Sequence, residues 1–506
     1  MLPRRVALAV GQAPCGTKGY KRILTICTAA LHLPNRVAPQ HRTSGHKPNP
    51  TQMPQAHHAA AVPFRLVCRV GKVFPGPGAV ANMRGLIRHR EFFPAHFESL
   101  RQQYGDVVSC YINGWTNLVF RPEDVECVLG ANYKAFIKGD KLAETRYLQG
   151  YGPGLSWGDD WLRQRRAINP QLRKTSLGRF VPIIERTANE LADEWEESAR
   201  SQQPREIAAD MARLSFNVSV RCILGIDLTK HSDRLFSLVN RGMAALLKRL
   251  TTPLPTPIWL PTYTNREVRR VERELDNIVY EIIDDEQHHP QGSFLSGLIE
   301  RYQGENFAGA RKELRDQLMS LIIAGYETTG NTLAWTWYLL AQHPEVADRV
   351  RDETRASHGS NKPDAFVYTT QVLSESLRLF PPVPYLARKT TEPFELRGKR
   401  FPAGSSFDVP VWSVHRHPDH WSQPDRFLPE RFGPSEAARH PCAHLPFGFG
   451  PRECAGKDFA ITEMLLALSH LANRFRVQLD RTRPIQPLTT LVLRPRAGLW
   501  ANVQPN

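Results

Sequence analysis

The chain has 506 residues and a formal net charge of +16 at pH 7, from 66 Lys and Arg against 50 Asp and Glu. Most of the excess, +14, lies in residues 1–90, which contain no acidic residue, and the remaining residues carry only +2, so the charge does not indicate a nucleic-acid-binding body. The eight cysteines show no C-x-x-C spacing, which disfavours a zinc or iron–sulfur site, and a disulfide scaffold is not expected at this length.

The N-terminal segment is predicted to be a basic, disordered tail over residues 1–62, followed by a single domain over residues 63–506. Its longest apolar run, Ile23–Leu33, is 11 residues long, against the ~20 that a membrane-spanning helix needs. No transmembrane segment is therefore predicted, and we expect a cytoplasmic, soluble protein. Basic residues before the run leave organelle targeting or membrane-surface association as a weaker alternative.

The next elements alternate between helix and strand. "EFFPAHFESLRQQYG" predicts a helix that ends at Gly105, and "VVSCYI" and "TNLVF" predict two strands. "PEDVECVLG" predicts a helix with proline in its first turn. Residues 159–303 are predicted to be mostly helical, apart from the Pro-rich stretch Leu250–Thr264.

A long helix is predicted from Asp316 to about His343, where Pro344 stops it. The segments Phe394–Val411 and "LTTLVLRPRAGLWANV" predict β-hairpins. The fold class predicted from these elements is mainly α with small β-sheets.

The middle of the long helix carries "AGYETTG". Gly325 costs ~1 kcal/mol in a helix interior relative to alanine, and Thr328 can bond to a carbonyl four residues earlier and bend the helix. Together with Glu327, this pattern would let a flat ligand approach the backbone and give it a proton route. The alternative is a kinked core helix with a solvent-facing glutamate.

Two weaker patterns place charged side chains on one helix face. Glu375 and Arg378 are three residues apart, and such a pair contributes little to stability when exposed. Trp161 and Arg165 are four apart, so an indole N–H and a guanidinium could bind carboxylates together. An ordinary amphipathic basic helix explains the second pattern as well.

The stretch "PFGFGPRECAGKDF" surrounds Cys454 with glycines and is followed by an apolar helical pattern. The positive end of that helix would lower the pKa of the thiol. A thiolate is a soft ligand for iron or copper, or a nucleophile. The nucleophile hypothesis needs a nearby base; His444 is close in sequence, but the pattern does not demand it.

These residues resemble the cytochrome P450 family. The haem-ligand pattern F-x-x-G-x-R-x-C-x-G is matched by Phe447, Gly450, Arg452, Cys454 and Gly456. W-x-x-x-R, A-G-x-[DE]-T-T, E-x-x-R and "PERF" precede it in the family's order, and the resemblance covers roughly residues 75–506. It implies a cytochrome P450 fold with a long central helix over a haem, close to the microsomal-type (class E) group and its soluble bacterial relatives.

The resemblance implies a role for each matched residue. Cys454 would ligate the haem iron, Phe447 would pack beside the sulfur, and Glu327 and Thr328 would deliver protons during O2 activation. The residues implied to hold the haem propionates are Trp161, Arg165, Arg388 and Arg452. Those implied to leave room for oxygen are Ala324 and Gly325. Those implied to form a buried structural network are Glu375, Arg378 and Arg431. Those implied to line the substrate pocket include Ile323, Val383, Leu386 and Thr490.

The implied activity is a haem-thiolate monooxygenase that inserts one oxygen atom from O2 into a small hydrophobic substrate. The implied cofactor is haem b, and electrons from NAD(P)H would arrive through a ferredoxin or a flavin reductase. We expect a monomer that binds no nucleic acid. A haem-thiolate peroxygenase or isomerase and a non-catalytic haem-binding sensor stay open as alternatives; the Glu327–Thr328 pair favours the monooxygenase.

Overall fold

The structure, a computed structural model, describes residues 71–112, 114–225, 232–252, 256–302, 307–357, 363–434 and 439–506. The predicted tail, its apolar run at Ile23–Leu33 and the predicted domain start at residue 63 lie outside the described residues, so they stay predictions. Among the helices of the described ranges, none is long and apolar enough to cross a membrane.

The described chain is mainly helical with small β-sheets, which confirms the predicted fold class. The helices are α1 (Ala79–Arg88), α2 (Phe93–Tyr104), α3 (Pro122–Glu126), α4 (Arg146–Gln149), α5 (Gly158–Ile168), α6 (Val181–Ser201), α7 (Ile207–Leu224), α8 (Ser232–Thr251), α9 (Tyr263–His288), α10 (Phe294–Tyr302), α11 (Phe307–Gln342), α12 (Pro344–Ala356), α13 (Val367–Leu379), α14 (Val411–Val414) and α15 (Lys457–Arg474). The strands are β1 (Val107–Tyr111), β2 (Trp115–Val119), β3 (Phe136–Lys138), β4 (Arg205–Glu206), β5 (Leu386–Thr390), β6 (Phe394–Leu396), β7 (Lys399–Phe401), β8 (Ser406–Val409), β9 (Phe475–Leu479), β10 (Pro487–Thr489), β11 (Leu493–Pro495) and β12 (Trp500–Pro505).

The largest sheet has the strand order β1–β2–β8–β5–β3. β1 and β2 form the predicted antiparallel pair, β8 runs parallel to β2, and β5 is antiparallel to both of its neighbours. The smaller sheets are β4–β12–β9 and the pairs β6–β7 and β10–β11. The sheets therefore place β3 and β5, which are far apart in sequence, side by side at one edge.

Two predicted hairpins are only partly correct. Segment 394–411 does contain a hairpin, β6–β7, whose turn residues Arg397 and Gly398 both have positive φ, as a two-residue hairpin turn requires. β8 leaves this hairpin and joins the large sheet instead. Near the C-terminus β10 and β11 pair, but β12 pairs with β9 because Ala501 and Val503 bury the same face as Phe475 and Val477.

The long helix α11 begins nine residues before the predicted Asp316 and ends at Gln342, close to the predicted end. Its first turns are amphipathic: Ala310 and Leu314 are buried in the main core, whereas Lys312 is exposed. With 36 residues at 1.5 Å each, it runs ~54 Å. The apolar pattern in the sequence predicted only the part of the helix from Asp316 onward.

α11 packs closely against α7. A Cβ atom on Gly330 would lie 2.8 Å from the Cα atom of Ala212 in α7, so the two backbones touch and only glycine fits. One turn earlier a Cβ atom on Gly325 would lie 3.0 Å from the Ser219 hydroxyl of the same helix. These contacts fix one face of α11, and its other face is left for the candidate site.

Candidate functional site

Cys454 lies in a tight loop immediately before α15. Gly448 and Gly450 have φ of +77° and +72°, which favour glycine. A Cβ atom on Gly450 would also lie 2.6 Å from the Leu129 carbonyl oxygen. The amide of Cys454 donates a hydrogen bond to the Phe447 carbonyl at 2.9 Å and closes the loop.

The Cys454 thiol is surrounded by protein and is still accessible. Burial raises its pKa, while the amide of Gly456 and the charges of Arg165 and Lys138 act in the opposite direction. The side chain is nevertheless exposed. A group with both properties faces an opening inside the fold. The two cations and the amide favour the thiolate, which is the form that binds soft metals.

Four cationic side chains converge near Cys454. They are Lys138, Arg165, Arg388 and Arg452. Burial lowers the pKa of Lys138 to about 7, with the charges of Arg388 and Arg452 acting in the same direction. Burial also lowers the pKa of Arg388 to about 10 and that of Arg452 to about 10, and for Arg452 the other arginines add to the effect.

The carboxylates that the structure describes do not neutralise this cationic cluster. Within the described residues, no Asp or Glu forms an ion pair with any of the four side chains; Glu453 raises the pKa of Arg165 but is itself paired with Lys457 at 2.8 Å. Buried charges are normally paired. The cluster therefore has the chemistry of a site for an anion, and the two carboxylates of a haem fit it.

Lys138 is a member of this cluster that the sequence did not single out. It lies in β3 directly opposite Arg388 in β5. Like charges opposite each other in a sheet are destabilising unless an anion lies between or beside them. The signal was present in the residue types, but it becomes visible only when the register of two strands 250 residues apart is known.

Trp161 and Arg452, two of the residues that the resemblance assigns to the haem propionates, lie in direct contact. The guanidinium carbon of Arg452 lies 4.2 Å from the centre of the Trp161 ring. Arg452 also donates to the carbonyl of Ser156 at 2.9 Å. A stacked and hydrogen-bonded guanidinium is held in one orientation, so its remaining N–H groups are aimed before a ligand arrives.

The long helix contains the side-chain hydrogen bond that the sequence predicted for Thr328. The Thr328 hydroxyl donates to the Ala324 carbonyl at 2.7 Å. Ala324 is exposed although it lies in the middle of α11, whereas Gly325 faces Ser219 of α7. Burial raises the pKa of Glu327, and the charge of Arg494 partly offsets it. Glu327 itself is half-buried, so it is neither fully enclosed nor fully exposed to solvent.

The four predicted pocket residues have different surroundings. Ile323 is buried in the main core, while Val383, Leu386 and Thr490 are half-buried. The amide of Leu493 donates to the Pro382 carbonyl at 2.9 Å, which brings the β10–β11 hairpin beside Val383. The structure thus places Val383 and Thr490 in neighbouring segments.

Glu375, Arg378 and Arg431 form one buried network. Arg378 donates to both carboxylate oxygens of Glu375 at 2.6 and 2.8 Å, and Arg431 donates to Glu375 at 3.2 Å. Arg378 also donates to the carbonyls of His415, Pro424 and Arg426. Glu375 and Arg378 are both 0% exposed, so this pair is not the weak surface bridge that the sequence alone would allow.

His415 connects this network to the cysteine loop. Its Nδ1 donates to the Arg378 carbonyl at 3.2 Å, and its Nε2 accepts from the Leu445 amide at 2.9 Å. Burial lowers its pKa far below the ordinary value, so the ring is neutral. Sequence reasoning missed this residue, because one histidine in "HRHPDH" carries no pattern of its own.

Comparisons with known proteins agree with this geometry. The family model described as Cytochrome P450 matches residues 75–501. Cytochrome P450 CYP72A616 from Paris polyphylla is 30% identical over 75% of this chain and 78% of the relative. Cyclooctatin synthase from Streptomyces melanosporofaciens is 30% identical over 81% of this chain and 89% of the relative.

The fold has a counterpart among solved structures. The haem domain of a cytochrome P450DA mutant superposes with a TM-score of 0.76 and 23% identity, covering 86% of this chain and 98% of that chain. At this identity the likeness concerns the fold, and it agrees with the mainly helical architecture.

The buried network generates a stability prediction. Arg378→Lys should lower the free energy of unfolding by about 3 kcal/mol, because a lysine cannot reach all of the buried acceptors. Arg270→Lys is the matched control: Arg270 bonds Glu274 at 2.9 Å but is 61% exposed, so almost no loss is expected. Urea unfolding of both variants measures the difference, and equal small losses would contradict the structural role of the network.

Proposed function

This chain belongs to the cytochrome P450 family, and on that premise we propose that Cys454 ligates a haem with which the enzyme oxidises a hydrophobic organic substrate. The monooxygenase class follows from the family; the residues, the substrate class and the electron donor are our proposal. The observation that carries it is the cationic cluster around the Cys454 thiol, which is surrounded by protein but faces an opening inside the fold. The cluster consists of Lys138, Arg165, Arg388 and Arg452.

The residues present fit haem b. Its two propionates would pair with the cationic cluster, and its iron would take the Cys454 thiolate as a soft ligand. When bound, the haem supplies the redox-active iron at which O2 is activated. The four cations would orient the group through its carboxylates. The negative charges of the carboxylates would in turn offset the burial that lowers the pKa values of Lys138 and Arg388.

Glu327 and Thr328 would manage the protons. The raised pKa of Glu327 means that its carboxyl holds a proton at a higher pH than an exposed glutamate does. The Thr328 hydroxyl donates to the Ala324 carbonyl, so its oxygen is held in place with its lone pairs free to accept a hydrogen bond. To pass a proton on, the O–H would rotate away from this carbonyl and donate on the open face of α11, while the oxygen takes up a replacement proton. Ala324, which is exposed, leaves space on this face of α11.

The electron donor would be a separate ferredoxin or flavin reductase that docks near the cysteine loop. A cavity of about 200 Å³ lies beside this loop. Its lining includes Leu377, Phe447 and Ile461, with Glu453 and Lys457 at 2.8 Å from each other. An apolar surface with paired charges is suited to a small redox protein that binds and leaves quickly.

The substrate would be a small hydrophobic molecule. Val383 and Leu386 are apolar and half-buried, and Thr490 offers one hydroxyl, which already donates to the Val492 carbonyl at 3.1 Å. Burial of apolar surface would supply the affinity, with few polar groups to fix orientation. The half-buried glutamate with its raised pKa and the fixed hydroxyl on α11 support an O2-dependent reaction rather than a peroxide-dependent one.

The ligand role of Cys454 is tested by optical spectroscopy. The reduced wild-type protein with carbon monoxide should show the red-shifted absorbance of a thiolate-ligated haem, and Cys454→His should bind haem without that absorbance because imidazole is a neutral ligand. Cys127→Ser is the control, since Cys127 is half-buried on a neighbouring segment and should leave the band unchanged. A band that persists in Cys454→His would exclude Cys454 as the ligand.

The proton role of Thr328 is tested by coupling. Thr328→Ala should lower the product formed per NAD(P)H at least several-fold, since a positioned proton donor contributes on the order of 100-fold or more to a proton-transfer step. The matched control is Thr332→Ala, one helical turn away, whose hydroxyl also donates to the carbonyl four residues earlier, at 2.9 Å. If both variants stay fully coupled, or lose coupling equally, Thr328 has no special role.

A further inference from the structure

A short segment that we call the glycine strap, residues 150–156, crosses α11 between α4 and α5. Gly150 has φ +62°, and a Cβ atom there would lie 1.9 Å from Oδ1 of Asp316. A Cβ atom on Gly152 would lie 2.5 Å from both the Asp316 carbonyl oxygen and the Cβ of Ser320. The strap therefore touches the helix so closely that side chains larger than hydrogen do not fit.

Asp316 fastens one end of the strap. Its Oδ2 accepts a hydrogen bond from the amide of Tyr151 at 3.0 Å, which joins residues 165 positions apart. Asp316 is 4% exposed, and Arg315 and Lys312 donate to it at 3.1 and 2.9 Å. Because the acceptor is a buried, ion-paired carboxylate, its bond to the Tyr151 amide is stronger than a bond to a neutral acceptor.

The other end of the strap is fastened near the cysteine loop. The Ser156 carbonyl accepts from Arg452 at 2.9 Å, and the Ser156 hydroxyl donates to Gln164 at 2.6 Å. The Gln164 amide nitrogen donates to the Tyr151 carbonyl at 3.0 Å. The strap is thus held between the long helix and the arginine that we assign to the haem.

The strap ends where the open face of the helix begins. Asp316, Ser320, Ala324 and Thr328 follow each other at four-residue spacing, so they form one row along α11. The strap covers Asp316 and Ser320, which are 4% and 3% exposed, whereas Ala324 is exposed. It therefore forms an edge of the space beside Ala324.

We propose that Asp316 is a positioning residue for substrate specificity: by holding the glycine strap against Ser320, it sets the edge of the substrate pocket and limits the size of the molecules that reach the haem. This inference rests on the proposed haem site for the location of the pocket. Asp316 touches no reacting atom, so it acts through the strap.

The test uses the haem-loaded protein and two nitrogen ligands of different size, imidazole and clotrimazole, whose binding is followed by the shift of the haem spectrum. In Asp316→Ala the association rate of clotrimazole should rise roughly tenfold relative to that of imidazole, which corresponds to the loss of one charge-assisted hydrogen bond. Amide hydrogen exchange in residues 150–156 should accelerate by a similar factor. Asp316→Asn keeps a hydrogen-bond acceptor, so its association-rate ratio and its exchange rate should lie between those of the wild type and those of Asp316→Ala.

Two further variants separate fastening from general destabilisation. Gly152→Ala leaves Asp316 intact but pushes the strap away, so it should reproduce the change in size discrimination. Asp210→Ala is the matched control: Asp210 is 7% exposed and binds Arg205 at 2.6 and 2.7 Å and Trp195 at 2.9 Å, and its loss should change neither readout.

The inference is overturned if Asp316→Ala and Gly152→Ala leave both hydrogen exchange in the strap and the clotrimazole-to-imidazole ratio unchanged, or if Asp210→Ala changes them equally. A wild-type protein whose spectrum responds to neither ligand would instead contradict the haem site itself. Even if no haem ligand binds, unchanged hydrogen exchange of residues 150–156 in Asp316→Ala would refute the role of Asp316 in holding the glycine strap.

Discussion

The structure depends most on an electrostatic constraint: four cations lie together beside Cys454, and among the side chains that the structure describes none of the four is paired with a carboxylate. An unpaired buried charge costs several kcal/mol, and a domain of this kind is stable by only about 5–15 kcal/mol in total. Lys138 and Arg388 are register partners in two neighbouring strands, which keeps their charges close together. We propose that a bound anion offsets this cost, and a group with two carboxylates next to a soft metal meets the requirement.

Other parts of the molecule hold this site in place. The buried Glu375–Arg378 pair binds three carbonyls of the segment before the cysteine loop, and His415 carries the connection to the Leu445 amide. On the opposite side, Arg452 stacks on Trp161 and binds the strap through Ser156. The cysteine loop is therefore positioned from two directions by side chains that do not take part in the chemistry. Their burial makes these connections strong, since water does not compete for the same donors.

Local chemistry made much of this predictable from the sequence. The glycines before Cys454, the proline after the long helix and the Thr328 hydroxyl act within a few residues, so their spacing was sufficient to predict the loop, the helix end and the bond to Ala324. The start of α11 was predicted too late because its first turns are only half apolar. The strand partners of β8 and β12 were predicted wrongly. The roles of Lys138, His415 and Asp316 were missed. All of these depend on contacts between segments far apart in the chain. Such contacts follow from strand register and packing, which the pattern of a single segment does not contain.

The account makes one central claim, that the cationic cluster exists to bind the carboxylates of a haem. The most direct measurement compares the affinity of the haem-free protein for haem with its affinity for haem dimethyl ester, whose carboxylates carry no charge, in wild type and in Lys138→Met. We predict that wild type prefers haem by roughly 100-fold, as expected for two charge-assisted contacts, and that Lys138→Met loses much of this preference. Equal affinity of the wild-type protein for the two compounds would contradict the claim.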